Sequence, residues 1–66
     1  MIDITDSSNV TGVDWNNGIL RVRFKGGIEY EYYDVSFDKY QEFMAAPSKG
    51  QFVHQNLKGV HEAARV

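Results

Sequence analysis

The sequence contains no cysteine and only one proline. Without cysteine, disulfide bonds and thiolate zinc sites are excluded, so the usual supports of very small domains are missing. The two histidines, His54 and His61, lie about 10 Å apart if they share a helix, which is too far for one ion. We therefore expect no metal and no cofactor, and stability must come from burying apolar side chains, above all the four Phe, four Tyr and one Trp.

Long apolar runs and an excess of positive charge are also absent. No stretch approaches the roughly 20 apolar residues that span a membrane, and the first residues have neither the basic nor the apolar region of a secretory signal. We therefore expect a cytoplasmic protein with no membrane partner.

The net charge of −2 argues against a strongly basic nucleic-acid binder. Residues 1–36 carry a net −3 and residues 37–66 a net +1, so any anion site belongs in the second half.

The dipeptide Asn17-Gly18 predicts a first β-hairpin, because it is typical of the type I′ turn in a two-residue loop. This turn pairs residues of like character on each face of the two strands. The predicted pairs are Asn16 with Ile19, Trp15 with Leu20, Asp14 with Arg21, Val13 with Val22, and Thr11 with Phe24.

The segment Lys25-Gly26-Gly27 predicts a second hairpin with a three-residue loop. A two-residue loop would shift the register by one residue and mix the two faces of the sheet. The predicted pairs are Phe24 with Ile28, Arg23 with Glu29, Val22 with Tyr30, Arg21 with Glu31, and Leu20 with Tyr32. We therefore predict a three-stranded antiparallel meander with one apolar face, one face of paired charges, and its outer strands as sheet edges.

Two short helices are predicted to cover the apolar face. Ser36 is a suitable N-cap for the first helix, and Pro47 ends it because the residue before a proline avoids helical geometry. Its apolar stripe consists of Phe37, Tyr40 and Met44, with Phe43 beside it. Ser48 and Gln51 form a capping box for the second helix, which is expected to end at Gly59.

The predicted fold is therefore α+β, in the order β-β-β-α-α, with two short helices packed on one face of the sheet. The domain is expected at residues 9–60. Residues 1–8 are interpreted as a flexible tail in preference to a short extra strand. Residues 61–66 are interpreted as a tail or a last helical turn.

An ordered set of short motifs resembles the KTSC domain, which is named for its occurrence at the C-terminus of some lysyl-tRNA synthetases and also occurs alone in bacteria and phages. The family's Tyr-x-Tyr motif matches Tyr30-Glu31-Tyr32. The remaining matches are the alternating strand 20–24, Gly27, Val35, the Ser-x-Gly-x-aromatic run 48–52, and the pair Leu57-Lys58. The resemblance implies the same α+β fold and no established activity, with RNA binding suggested by the synthetase context.

The start of the second predicted helix is the candidate binding site. A helix N-terminus offers free N–H groups and the positive end of the helix dipole to an anion. The candidate residues for binding an anion or a nucleic-acid phosphate are Ser48, Lys49, Gly50, Gln51, His54 and Lys58. The alternative is a capping box whose donors are already satisfied within the chain, with Gly50 small so that it packs on the sheet.

Tyr30 and Tyr32 of the family motif have two interpretations. Aromatic faces can stack nucleobases. The predicted register, however, places both rings on the face with Val22 and Leu20, under the helices. We therefore expect core tyrosines with a structural role.

Three classes of function stay open. A nucleic-acid accessory module, binding RNA, is favoured mainly by the resemblance, and its affinity would fall as salt rises. A protein-interaction module, as a monomer or a weak homodimer, could use an exposed strand edge. An enzyme is least supported, because no Ser, Cys or carboxylate is placed to partner His54 as a base; we predict no catalytic residues.

Overall fold

Five antiparallel strands form one sheet, and two short helical regions follow the first four strands in the chain. The structure is a computed structural model that describes residues 1–66. The elements are β1 (Ile2–Asp3), β2 (Val10–Asn16), β3 (Ile19–Phe24), β4 (Glu29–Tyr32), α1 (Phe37–Ala45), α2 (Lys49–Phe52), a π-helical segment (Val53–Leu57) and β5 (Ala63–Arg65). The strand order in the sheet is the chain order. None of the helices is long and apolar enough to cross a membrane.

The α+β fold with two short helices is confirmed, but the predicted count of three strands is wrong. β1 pairs with β2 and β5 pairs with β4, and these two strands lie in the segments 1–8 and 61–66 that were expected to be tails. Main-chain hydrogen bonds hold them, such as that from Tyr33 N–H to the Glu62 carbonyl (2.9 Å). Such bonds need no alternation of apolar side chains. Because every residue of β1 and β5 is exposed, burial gives these two strands little periodic pattern.

The two predicted hairpins are present with the predicted register over most of their length. In the first, the pairs are Asn16–Ile19, Trp15–Leu20, Asp14–Arg21 and Val13–Val22. In the second, they are Leu20–Tyr32, Arg21–Glu31, Val22–Tyr30 and Arg23–Glu29. Because cross-strand partners share a face, Tyr30 and Tyr32 point to the inner side of the sheet, as predicted.

A β-bulge in β2 changes the last pair of the first hairpin. The predicted pairing of Thr11 with Phe24 is wrong, because Phe24 pairs with Val10 and the register shifts at Thr11. The Thr11 hydroxyl accepts a hydrogen bond from Arg23 Nε (3.1 Å), and Arg23 Nη2 also donates to Asp3 of β1 (3.2 Å). The bulge thus positions Arg23, whose hydrogen bond to Asp3 helps to hold β1 in the sheet.

A mainly aliphatic core lies between the inner face and the helices. Its buried residues are Val10, Val13, Leu20, Val22, Tyr32, Val35, Phe43, Val53 and Leu57. Aromatic rings surround this core, and Phe43 packs edge-on against Phe52 with 5.5 Å between ring centroids. The predicted stripe of α1 is wrong at its first residue, since Phe37 is 51% exposed and Phe43 occupies the core position.

Both predicted serine caps are present. The Ser36 hydroxyl accepts a hydrogen bond from Lys39 N–H (3.1 Å), and the Ser48 hydroxyl accepts one from Gln51 N–H (3.3 Å). Each cap satisfies one of the amide donors that the first turn of a helix leaves free.

The outer face carries the predicted ion pair of Arg21 with Glu31, whereas Glu29 is paired with Arg21 and not with its cross-strand neighbour Arg23. Arg21 Nη2 lies 2.7 Å from Glu31 Oε2, and Arg21 Nη1 lies 3.8 Å from Glu29 Oε1. The Tyr33 hydroxyl donates a hydrogen bond to Glu31 Oε1 (3.3 Å). The hydrogen bond from Arg21 is the largest cause that holds the pKa of Glu31 below its ordinary value, and the bond from Tyr33 acts in the same direction.

This lowered pKa predicts a pH dependence of stability. The folded protein holds the Glu31 proton less tightly than the unfolded chain does, so its stabilising contribution is present at neutral pH. The contribution is lost as pH falls below the ordinary glutamate range and through the lowered pKa. In urea unfolding, Glu31→Gln should be less stable than the parent at pH 7, and the difference should shrink in that acidic range. In an Arg21→Gln background, the same substitution should have a much smaller pH-dependent effect. An equal difference at all pH values would contradict this assignment.

Candidate functional site

An open pocket of about 390 Å³ lies between the inner face of the sheet and the π-helical segment. Its apolar walls are Phe24 from β3, Tyr30 and Tyr32 from β4, Val53 from the π-helical segment, and Ala63 from β5. The volume is at the low end of the roughly 300–1,000 Å³ that small-molecule sites occupy. A concave, mainly apolar site with a few polar groups is where a ligand is most reasonably sought.

Tyr30 is the central aromatic ring of this pocket. Its centroid lies 6.2 Å from that of Phe24, at an interplanar angle of 72°, and 6.5 Å from that of Tyr32. Tyr32 is buried in the core, whereas Tyr30 is only half-buried. Burial, and secondarily the neighbouring Tyr30, raises the pKa of Tyr32, so its hydroxyl stays protonated at neutral pH. The two tyrosines of the motif therefore differ, since one is a core residue and the other has surface to offer a ligand.

The π-helical segment brings His54 to the pocket and leads directly to Lys58. Its wider turn is closed by the hydrogen bond from Lys58 N–H to the Val53 carbonyl (2.7 Å). In an α-helix the same N–H would bond to the carbonyl of His54. Val53 and Leu57 stay buried, while His54 and Lys58 are exposed at the rim. No hydrogen bond or ion pair within the chain engages either rim side chain. These two groups are therefore available to a ligand.

His61 forms another part of the pocket lining, but both of its ring nitrogens are already engaged. Nδ1 lies 2.8 Å from the Tyr33 carbonyl oxygen, and Nε2 lies 2.7 Å from Lys39 Nζ on α1. A neutral ring with its proton on Nδ1 satisfies both contacts, because it donates to the carbonyl and accepts from the ammonium. His61 therefore links the end of β4 to α1 and offers the pocket mainly its ring surface.

The predicted site residues are distributed over three separate cavities. Gly50, His54 and Lys58 line the aromatic pocket. Ser48 and Lys49 line a separate polar cavity of about 130 Å³, shared with Gly50 and the segment 6–9. Gln51 lies with Ser48 on a third, outer groove. The geometry thus places His54, Lys58 and Gly50 beside Tyr30 and Tyr32, and it directs Ser48, Lys49 and Gln51 elsewhere.

Helix capping and local packing account for the roles of Ser48, Lys49 and Gly50. The Ser48 hydroxyl is used as the helix cap, and the Lys49 side chain is only 6% exposed. A Cβ added to Gly50 would lie 3.1 Å from Asn9 Nδ2, so the glycine allows the N-terminal segment to approach the helix. Gly50 is therefore small for close packing, as the capping-box alternative expected, but its neighbour is Asn9.

The sequence did not predict Phe24, Val53, Gly59, His61 and Ala63 as pocket residues. The reason is the return of the chain after the helix. Gly59 adopts φ +78°, which ends the helical region, and His61 comes back to the pocket that His54 lines. A continuous helix would have kept the two histidines apart. The signal that could have been read is Gly59 followed by a short segment able to pair with the edge of β4.

These features define a small α+β domain with a five-stranded antiparallel sheet and a pocket formed by the Tyr-x-Tyr strand. A family model described as the KTSC domain matches residues 6–61. The chain therefore belongs to the KTSC domain family, and the predicted resemblance is confirmed.

Two further comparisons agree with this assignment. A protein of Tsukamurella paurometabola is 40% identical over 47 residues, which cover 71% of this chain and 70% of that protein. The crystal structure of a KTSC domain protein from Yersinia pestis is similar with a TM-score of 0.86 and 28% sequence identity. That match covers 97% of this chain and 92% of the other, so it extends over all five strands.

The different contacts of the two histidines predict different effects of their removal. His61→Leu should speed hydrogen exchange at the Tyr33 and Val66 amides, which bond β5 to β4, because the linked carbonyl and ammonium lose their partner. A hydrogen bond contributes about 0.5–1.5 kcal/mol, so an increase of several-fold is expected. His54→Leu is the matched control and should leave these exchange rates unchanged. Equal acceleration in both variants would contradict the structural role of His61.

Proposed function

We propose that this domain is a nucleic-acid-binding accessory module that takes single-stranded RNA through the aromatic pocket. The observation that carries the proposal is the pocket lining itself. It combines the half-buried ring of Tyr30 with the exposed His54 and Lys58, and no carboxylate is among its residues. Stacking of a base on an aromatic ring contributes about 1–3 kcal/mol, and cationic groups hold phosphates.

The negative net charge of the chain does not prevent such binding, because three of the four acidic side chains of the sheet are paired with arginines on the opposite face. Glu29 and Glu31 lie beside Arg21, and Asp3 lies beside Arg23. A phosphate at the pocket rim would therefore interact mainly with the nearby unpaired basic groups, and the net negative charge of the whole molecule would have little effect on it. At an ionic strength of about 0.1 M, exposed charges beyond about 10 Å are largely screened.

We propose binding and not catalysis for this site. His54 has no Ser, Cys or carboxylate among the other pocket residues that could complete a nucleophile or an acid–base pair. The cysteine-free composition is compatible with the reducing cytoplasm, where RNA is available.

A second candidate function is self-association through β5. The predicted edges of the sheet were the strands now called β2 and β4, and this prediction is wrong because β1 and β5 cover them. β5 is instead an exposed edge strand whose outer side has no strand neighbour. An unpaired edge can add a strand from a second copy. Sedimentation across a wide protein concentration range would reveal this as a mass that rises with concentration and depends little on salt.

RNA binding is tested by fluorescence anisotropy with labelled tRNA and single-stranded RNA at about 50 mM and about 200 mM salt, the range over which phosphate contacts lose strength. Affinity should fall as salt rises, and Lys58→Gln should weaken binding about fivefold, which corresponds to about 1 kcal/mol for one phosphate contact.

The matched control is Lys25→Gln, which makes the same charge change on an exposed lysine outside the pocket. It should change affinity less than twofold. No binding at low salt would refute the proposed function, and equal losses in the two variants would refute the pocket as its site.

A further inference from the structure

We infer, on the basis of the proposed function, that the pocket is a complete site for one nucleotide unit: its base lies against Tyr30 and its phosphate lies between His54 and Lys58. The ligand class is a phosphorylated nucleoside, which exists either as a free mononucleotide or as the terminal unit of an RNA strand. The domain would then bind RNA at an end and not along its length.

The size of the pocket limits the site to one nucleotide unit. A cavity of about 150 Å³ holds one benzene ring, so 390 Å³ has room for about sixteen non-hydrogen atoms at the same density. That is a nucleobase with most of its pentose. A second nucleoside does not fit, and the phosphate of the first nucleotide must lie at the open mouth of the pocket.

The placement of the rim residues gives the phosphate its position. The floor is aromatic and aliphatic, whereas the groups at the mouth are His54 and Lys58, which are exposed and have no partner within the chain. A nucleoside without phosphate would leave these groups unused. Inorganic phosphate without a base would leave the apolar walls unused, so each fragment should bind much more weakly than the whole nucleotide.

The surface around the pocket offers no path for a longer strand. Arg21 and Arg23 are paired on the opposite face, Lys39 is bound to His61, and Lys49 is buried. Arg65, which pairs with Tyr30 across β4 and β5, is an exposed cation beside the pocket. One or two phosphate contacts are therefore available, and they predict a slope of log affinity against log salt of about −0.7 to −1.4.

The test is an amide NMR titration of the full chain with four probes: adenosine 5′-monophosphate, adenosine, inorganic phosphate and a five-nucleotide oligoadenylate. The monophosphate and the oligonucleotide should bind within about threefold of each other and shift the amides of Gly50, Gly59 and Ala63. Adenosine and phosphate should each bind at least tenfold more weakly. The exposed substitution Lys58→Gln should weaken binding of the monophosphate about fivefold, while Lys25→Gln should change it less than twofold.

The outcomes separate this inference from the proposed function. An oligonucleotide that binds more than tenfold tighter than the monophosphate would overturn the one-nucleotide site and leave RNA binding intact. A monophosphate that binds as expected while tRNA and single-stranded RNA do not would support the site and refute the proposed function. Phosphate alone binding as tightly as the nucleotide, or no shifts with any probe, would overturn the inference.

Discussion

The pairing of β4 with a strand on each side is the constraint on which the rest of the structure depends. β3 fixes its register on one edge and β5 pairs with the other. A shift of one residue would turn Tyr30 and Tyr32 to the outer face and bring Glu31 towards the core. The observed register instead buries Tyr32, leaves Tyr30 half-buried at the pocket, and sets Glu31 beside Arg21 on the outer face. The backbone hydrogen bonds of β4 therefore determine which side chains lie in the core, which lie on the charged face and which line the candidate site.

Local turn chemistry made the centre of the sheet predictable. Asn17-Gly18 and Gly26-Gly27 specify loop lengths, and strict alternation in β3 and β4 leaves one register with a consistent apolar face. β1 and β5 were not predicted because their residues are exposed, and their pairing rests mainly on backbone hydrogen bonds, with one side-chain contact between Asp3 and Arg23. The bulge at Thr11 was missed for a related reason, since it depends on contacts to Arg23 that alternation does not encode. Periodic burial is visible in a sequence, whereas pairing by backbone alone is not.

The candidate site was predicted in part. His54, Lys58 and Gly50 were identified from their position on the second helix, and they line the pocket. Their partnership with Tyr30 was not foreseen, because the pocket exists only after the chain turns at Gly59 and returns as β5. The π-helical turn was not predicted either, because the residues that form it occur equally in ordinary α-helices. The result is that Asp3, Glu29 and Glu31 are paired with arginines on the outer face of the sheet, whereas the exposed His54 and Lys58 lie at the pocket on the other face.

The most direct test of the account is the measurement of intermolecular nuclear Overhauser effects between adenosine 5′-monophosphate and the protein. The account predicts contacts from the base protons to the ring of Tyr30 and the methyl group of Ala63. Contacts to the exposed aromatic surface of Phe37 and Tyr40, with none to Tyr30, would contradict it. That result would move the ligand to the side of α1 and leave the tyrosine motif with a structural role only.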